Sequence, residues 1–181
     1  EGQLSLFTQG DLFAQPQVMS EKKNSTNTPH FYQLADTPMA QQLLLQNLLQ
    51  QTEVCFDTET TSVNALEAEL VGISFCWSAH KGYYVPFPTD KAEATKLLET
   101  FRPFFENERI GKVGQNLKYD LKVLQNYNIE VRGALFDTMI AHYLIQPELH
   151  HNMDYMAETL LGYQTIHIEE LLGPKGKKQK N

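Results

Sequence analysis

The alternation of apolar and polar residues sets out a succession of strands and helices. Phe31 to Leu34 form a short strand, and Thr37-Pro38 opens a helix running to about Gln50, with proline at its first position. Val54, Cys55 and Phe56 lead a buried-type strand into Asp57 and Glu59, and Leu70 to Trp77 and Tyr83 to Phe87 predict two more strands. Asp90, with Glu93 three residues on, makes a capping box. Ala94, Leu97, Leu98 and Phe101 then keep helical spacing until Pro103 bends or ends the helix. Ile110 to Val113 is the next strand, and Asn116 caps a helix with Leu117, Leu121 and Leu124 on its apolar stripe. Ala134 to Phe136 precedes two helices, Thr138 to Ile145 and Met153 to Leu161, with Pro147 between them and Gly162 just past the second. This order predicts an α/β domain, a mixed central sheet flanked by helices.

Residues 1–29 are rich in Gln, Ser, Thr and Asn and keep no period, which predicts a flexible linker ahead of one domain at 30–181. No run approaches the roughly 20 apolar residues that cross a bilayer, so no membrane partner is expected. The chain opens at Glu1 without the basic start and apolar stretch of a secretory signal, and reads as a piece of a longer cytoplasmic protein. Cys55 and Cys76 sit in apolar strand-like runs and are expected as small buried hydrophobes. The histidines show no zinc-type spacing. A net charge of −7 argues against a broad basic face for nucleic acid. A carboxylate site balanced by divalent ions is also acidic, so charge leaves a metal-dependent nuclease open.

The chemistry concentrates in Val54-Cys55-Phe56-Asp57-Thr58-Glu59-Thr60, because alternation along a strand puts Asp57 and Glu59 on one face. Two carboxylates at the end of a central strand are costly like charges beside a low-dielectric core. Divalent metal compensates them economically, since Mg²⁺ or Mn²⁺ prefers carboxylate oxygen and keeps positions for water and phosphate. In Gly114-Gln115-Asn116-Leu117-Lys118-Tyr119-Asp120, a strand meets a helix and Asp120 lies one turn in, on the face of Asn116 and Val123.

Asp-Thr-Glu-Thr at 57–60, followed by Gly-Gln-Asn-Leu-Lys-Tyr-Asp at 114–120, is similar to the first two motifs of the 3′–5′ proofreading exonuclease domain of bacterial family A DNA polymerases. Phe136 to Met139, His151 to Leu161 and Ile166 to Lys178 also resemble that family, so the similarity covers about residues 30 to 180. The resemblance implies a ribonuclease H-like exonuclease fold and 3′–5′ removal of nucleoside monophosphates from single-stranded DNA. It implies Asp57, Glu59 and Asp120 as ligands of two Mg²⁺ or Mn²⁺ ions, and a polymerase domain in the same parent chain as partner. Thr58, Val63, Gln115, Asn116, Tyr119 and His150 fall where the family touches substrate, Val63 as a wedge against the terminal base. His150 and Ile168 depart from the arginine and aromatic of relatives. The lysines Lys175, Lys177, Lys178 and Lys180 fit phosphates or a solvated loop. The third motif, a Tyr-x-x-x-Asp setting, is not among these residues, which implies a C-terminally truncated domain that is a weak enzyme alone.

Three other readings compete. Asp57 to Thr61 faintly matches an Asp-x-Asp-x-Thr phosphatase loop, but Glu59 stands at the second acid and Gln115 to Asp120 finds no use. A scaffolding or DNA-contact domain has no need of the three retained acids, and RNA-trimming exonucleases share the same acid pattern. Separately, Gln3-Leu4-Ser5-Leu6-Phe7 resembles the pentapeptide with which replication proteins grip the sliding clamp, where exposed apolar anchors in a polar tail need a pocket.

Overall fold

The structure, a computed structural model, describes residues 22–167 and residue 170. Gln3 to Phe7, Ile168 and the lysines from Lys175 to Lys180 lie outside the described residues. Strands β1 (Lys23–Asn24), β2 (Phe31–Leu34), β3 (Glu53–Thr60), β4 (Leu70–Ser78), β5 (Lys81–Pro86), β6 (Gly111–Gly114), β7 (Leu135–Asp137) and β8 (Tyr163–Gln164) interleave with five helices. The helices are α1 (Pro38–Leu48), α2 (Lys91–Phe105), α3 (Leu117–Gln125), α4 (Thr138–Ile145) and α5 (Met153–Leu161). Six strands form a mixed sheet in the order β2-β5-β4-β3-β6-β7, so β3 is central, antiparallel to β4 and parallel to β6.

The pleat of β3 divides its residues by the predicted alternation. Val54, Phe56 and Thr58 are buried on one face, whereas Cys55, Asp57 and Glu59 occupy the other. The inner face carries the core, where Leu44, Leu45 and Leu48 of α1 and Ala94, Leu98, Phe101, Phe104 and Phe105 of α2 are buried. Phe56 meets Phe105 at 5.4 Å, and Phe75 meets Phe101 at 5.7 Å and Phe104 at 5.6 Å. Such contacts each add about 0.5–1.5 kcal/mol beyond area burial.

Pro103 does not end α2, which continues to Phe105 because Phe104 and Phe105 are fully buried and Glu106 N–H still reaches Arg102 O. Three local expectations change. Asn116 does not cap α3 through its side chain, since its φ of 60° is left-handed rather than the extended backbone of a capping residue. Cys55 is exposed and Cys76 half-buried, because burying Val54 and Phe56 forces Cys55 onto the opposite face. Lys23–Asn24, within the expected linker, pairs in parallel with Tyr163–Gln164.

Lys112 of β6 is a fully buried charged residue, with Nζ donating to the carbonyls of Asn107 and Arg132, both at 2.6 Å, above the Phe104 ring. Burial pulls its pKa down from 10.5 to about 8. Between about pH 8 and 10.5 the unfolded chain therefore holds a proton that the folded chain has released, so this group makes stability rise with pH. Comparing unfolding of the native chain and Lys112→Met across that window, the variant is expected to lose this positive contribution to the slope. Equal slopes would show that the ammonium is solvated.

Candidate active site

The site is built at the end of β3, where the sheet ladder runs out on one side. β6 pairs with β3 only through Cys55, so the N–H of Thr58 has no strand partner there. Asp120 of α3 supplies the acceptor: its Oδ1 takes the Thr58 N–H at 3.0 Å and the Thr58 hydroxyl at 2.5 Å. A helix carboxylate thus completes the ladder and brings the two acidic motifs together, and Asp120 is only 2% exposed.

The carboxylates act on one another. Burial first, then Asp120 and then Glu59, push the Asp57 carboxyl up to about 7. Burial also raises Asp120, against the lowering effect of the two Thr58 hydrogen bonds, and Asp137 raises it further. Glu59 is exposed and lies opposite Gly72 of β4. A Cβ on Gly72 would meet the Tyr84 hydroxyl at 2.0 Å, so glycine leaves room for this ring. Burial and then Glu59 raise Tyr84 above its ordinary value.

Among the described residues, no three His, Cys, Asp or Glu side chains converge as a ready-made cage for a cation. The donor set nevertheless suits a hard divalent ion: carboxylate oxygens with unbalanced charge and no thiolate or imidazole partner. Mg²⁺ in particular is bound through one or two carboxylates, with waters and substrate phosphate completing its shell.

The other expected site residues divide into two groups. Thr58 is buried and commits its hydroxyl to Asp120, so it positions that carboxylate. Gln115 spends its amide inside the protein, donating to His151 O at 2.7 Å and accepting from the Thr138 hydroxyl. Both side chains are therefore engaged within the protein, by partners distant in sequence that local sequence does not announce. Val63, in contrast, is 98% exposed, His150 is exposed, and the Asn116 side chain makes no hydrogen bond among the described residues. Tyr119 is intermediate: its ring packs on the core and its hydroxyl ties Thr60 and the Ser62 carbonyl, anchoring the loop that carries Val63.

Asp137 is the residue that sequence reasoning missed. Its Oδ1 accepts from the N–H groups of Asn116, Met139 and Ile140, and its Oδ2 from Leu117 N–H, so one carboxylate caps both α3 and α4. The local signal was present for α4 alone, as an Asp directly before a helix.

A family model described as 3′–5′ exonuclease matches residues 32–180. DNA polymerase I of Pseudomonas aeruginosa is 36% identical over 144 residues, covering 75% of this chain and 16% of that protein. DNA polymerase I of Borreliella burgdorferi is 34% identical over 133 residues, covering 71% and 14%. The chain therefore spans a small part of these relatives. Two solved structures share the fold. The catalytic core of RRP6 from Trypanosoma brucei has a TM-score of 0.63 at 19% identity over 81% of this chain and 38% of that one. Escherichia coli RNase D, an exoribonuclease involved in structured RNA processing, has a TM-score of 0.58 at 20% identity over 72% and 33%. The mixed sheet centred on β3 is thus the ribonuclease H-like exonuclease fold, and the chain belongs to the 3′–5′ exonuclease family, as a domain of the kind found in DNA polymerase I.

Proposed function

We propose that this domain is the proofreading nuclease of the DNA polymerase I that carries it, hydrolysing the 3′-terminal phosphodiester of single-stranded DNA with Asp57, Glu59 and Asp120 as the metal-binding carboxylates. The observation that carries the reading is the Asp57 carboxyl, held near 7 by burial and by Asp120 and Glu59 at the open end of a central strand. Two Mg²⁺ or Mn²⁺ ions in the complete site would supply Lewis acidity for the attacking water and the leaving 3′ oxygen. Asp57, Glu59 and Asp120 are the residues that would hold these ions, and Asp57 is the one whose carboxyl both other acids push up.

Around these acids the chain's own residues orient the strand. Thr58 fixes Asp120, and the Asn116 amide, without a hydrogen-bond partner among the described residues, and the exposed His150 are available for backbone contact. Val63 projects almost wholly into solvent from the loop that Tyr119 anchors, as a residue that wedges against a terminal base would. Residues 1–181 contribute three acids to the site, and alone they are expected to digest DNA far more slowly than the whole polymerase.

The test is release of mononucleotides from a 3′-labelled single strand by the parent protein, with and without Mg²⁺, alongside an RNA of the same sequence. Metal-dependent release from DNA supports the reading; faster digestion of the RNA would reassign the domain to RNA trimming. The polymerase domain of the same parent chain is the proposed intramolecular partner. The sliding clamp is a further proposed partner through Gln3, Leu4, Ser5, Leu6 and Phe7. A peptide of residues 1–10 is expected to bind the clamp and to lose affinity on Phe7→Ala; unchanged binding by the variant would remove that partner.

A further inference from the structure

We propose that Cys55 and Cys76 form a redox-active dithiol that closes into a disulfide across the β3–β4 ladder and thereby slows the nuclease; the second half of this inference rests on the function proposed above. The two cysteines are register partners, directly opposite one another in the antiparallel pair, and both thiols are free. The next pair along the same face is Asp57 with Ser74.

The phase of the ladder fixes the spacing. Thr58 N–H points away from β4 to Asp120, and Thr52 C=O points to Gly111 of β6, so the odd-numbered residues of β3 direct their backbone groups at β4. Cys55 and Cys76 are therefore a hydrogen-bonded pair, for which the Cα separation is about 5.5 Å. That lies inside the window of about 4.4–6.8 Å that a disulfide spans. Cβ atoms of such pairs stand somewhat wider than the roughly 3.8 Å mean of a bridge, so closure strains the strands and yields an easily reduced bond.

Two features lower the barrier to closure. The β4–β5 register is irregular between Phe75 and Ser78, so Cys76 lies where the neighbouring ladder does not hold it. Its Sγ has only a weak hydrogen bond to give up, to Ser78 O at 3.2 Å. Access is open, since both cysteines line a groove of about 580 Å³ together with Asp57, Ser74, Tyr32 and Tyr163.

The oxidant is a low-molecular-weight disulfide such as oxidised glutathione. Burial, then Cys76 and Asp57, push the Cys55 thiol up to about 11, so the Cys76 thiolate is the one that attacks a sulfur of that disulfide and releases one thiol; Cys55 then gives up its proton, attacks the resulting mixed disulfide and releases the other. The protein loses two protons and two electrons, and the external disulfide becomes two thiols. Drawing β3 toward β4 at Cys55 displaces Asp57, two residues along the same face.

The parent protein is incubated with oxidised glutathione and analysed by intact mass, peptide mapping and nuclease rate. A Cys55–Cys76 peptide, a mass lower by about 2 Da, and a roughly tenfold loss of rate that dithiothreitol reverses are expected. Cys55→Ser should stop at a mixed disulfide on Cys76, and Cys76→Ser should react with oxidised glutathione more slowly than the native protein. Two separate glutathione adducts, or unreacted thiols, would overturn the dithiol. A bridge with an unchanged nuclease rate would overturn the switch and leave the nuclease reading standing. Absence of activity in the reduced protein would refute the function above instead, and the peptide map would still decide the bridge.

Discussion

Asp57→Asn is expected to lower 3′–5′ exonuclease turnover on single-stranded DNA by about a thousandfold without lowering the melting temperature of the metal-free protein. The kinetic half follows from the proposed role of Asp57 as a metal-binding carboxylate: the ions it would hold supply several kcal/mol of transition-state stabilisation, and about 1.4 kcal/mol is a factor of ten. The stability half follows from electrostatics. Asp57 is pushed up to about 7 by burial and by Asp120 and Glu59, so its charged form is a burden on the fold when no cation is present. An amide of the same shape removes that repulsion. Digestion assays with Mg²⁺, paired with thermal unfolding in a chelator, check both. Activity above a tenth of the native value would displace Asp57 from the site, and a large drop in melting temperature would mean that the carboxylate is structural. The crossed signs matter because unfolding alone lowers activity and stability together.

What could be read from the sequence is what is encoded within a few residues. The alternation of Val54, Phe56 and Thr58 against Cys55, Asp57 and Glu59 assigned the acids to one face, and the structure keeps that division. The bounds of α4 and α5 were legible because Pro147 and Gly162 punctuate them locally. The same alternation also sets Cys55 outside the core, which the apolar character of Val54-Cys55-Phe56 masks, because a continuous apolar run resembles a strand buried on both faces. Long-range partners left no local mark. Thr58 and Gln115 have polar side chains beside an acidic motif, and nothing near them in sequence reveals that Asp120 and the His151 carbonyl engage them. Lys112 in Gly-Lys-Val-Gly looks like a solvated strand residue, yet two loop carbonyls distant in sequence hold its ammonium inside. Gly72 carried the one usable hint, since a glycine within a strand signals close approach, here by the Tyr84 ring.

Asp137→Ala is expected to destabilise the domain by about 2–4 kcal/mol, the cost of removing two helix caps at about 1–2 kcal/mol each. Asn116 N–H at 3.1 Å and Leu117 N–H at 2.8 Å open α3, and Met139 N–H at 2.9 Å and Ile140 N–H at 3.3 Å open α4. All four donors end on one carboxylate, at the positive ends of two helices, where a negative charge is further favoured. No replacement is at hand for α3, because Asn116 is left-handed and its side chain makes no capping bond. Asp137→Asn keeps one acceptor oxygen while losing the charge and the second oxygen, so it should fall between Ala and the native residue. The loss also reaches the chemistry, since Asp120 lies in the first turn of the helix that Asp137 starts. A shift of that turn would misplace the Asp120 carboxylate, and loss of a supporting group of this kind costs about 10- to 100-fold in activity or metal affinity. If Asp137 acts through Asp120, the activity losses of Asp137→Asn and Asp120→Asn should be strongly non-additive in a double-mutant cycle, while their stability effects need not be. Denaturant unfolding of the two Asp137 variants and Mg²⁺-dependent digestion across the cycle measure both halves. Stability of Asp137→Ala within about 0.5 kcal/mol of the native chain would deny the double cap. Additive losses of activity would confine Asp137 to holding the fold.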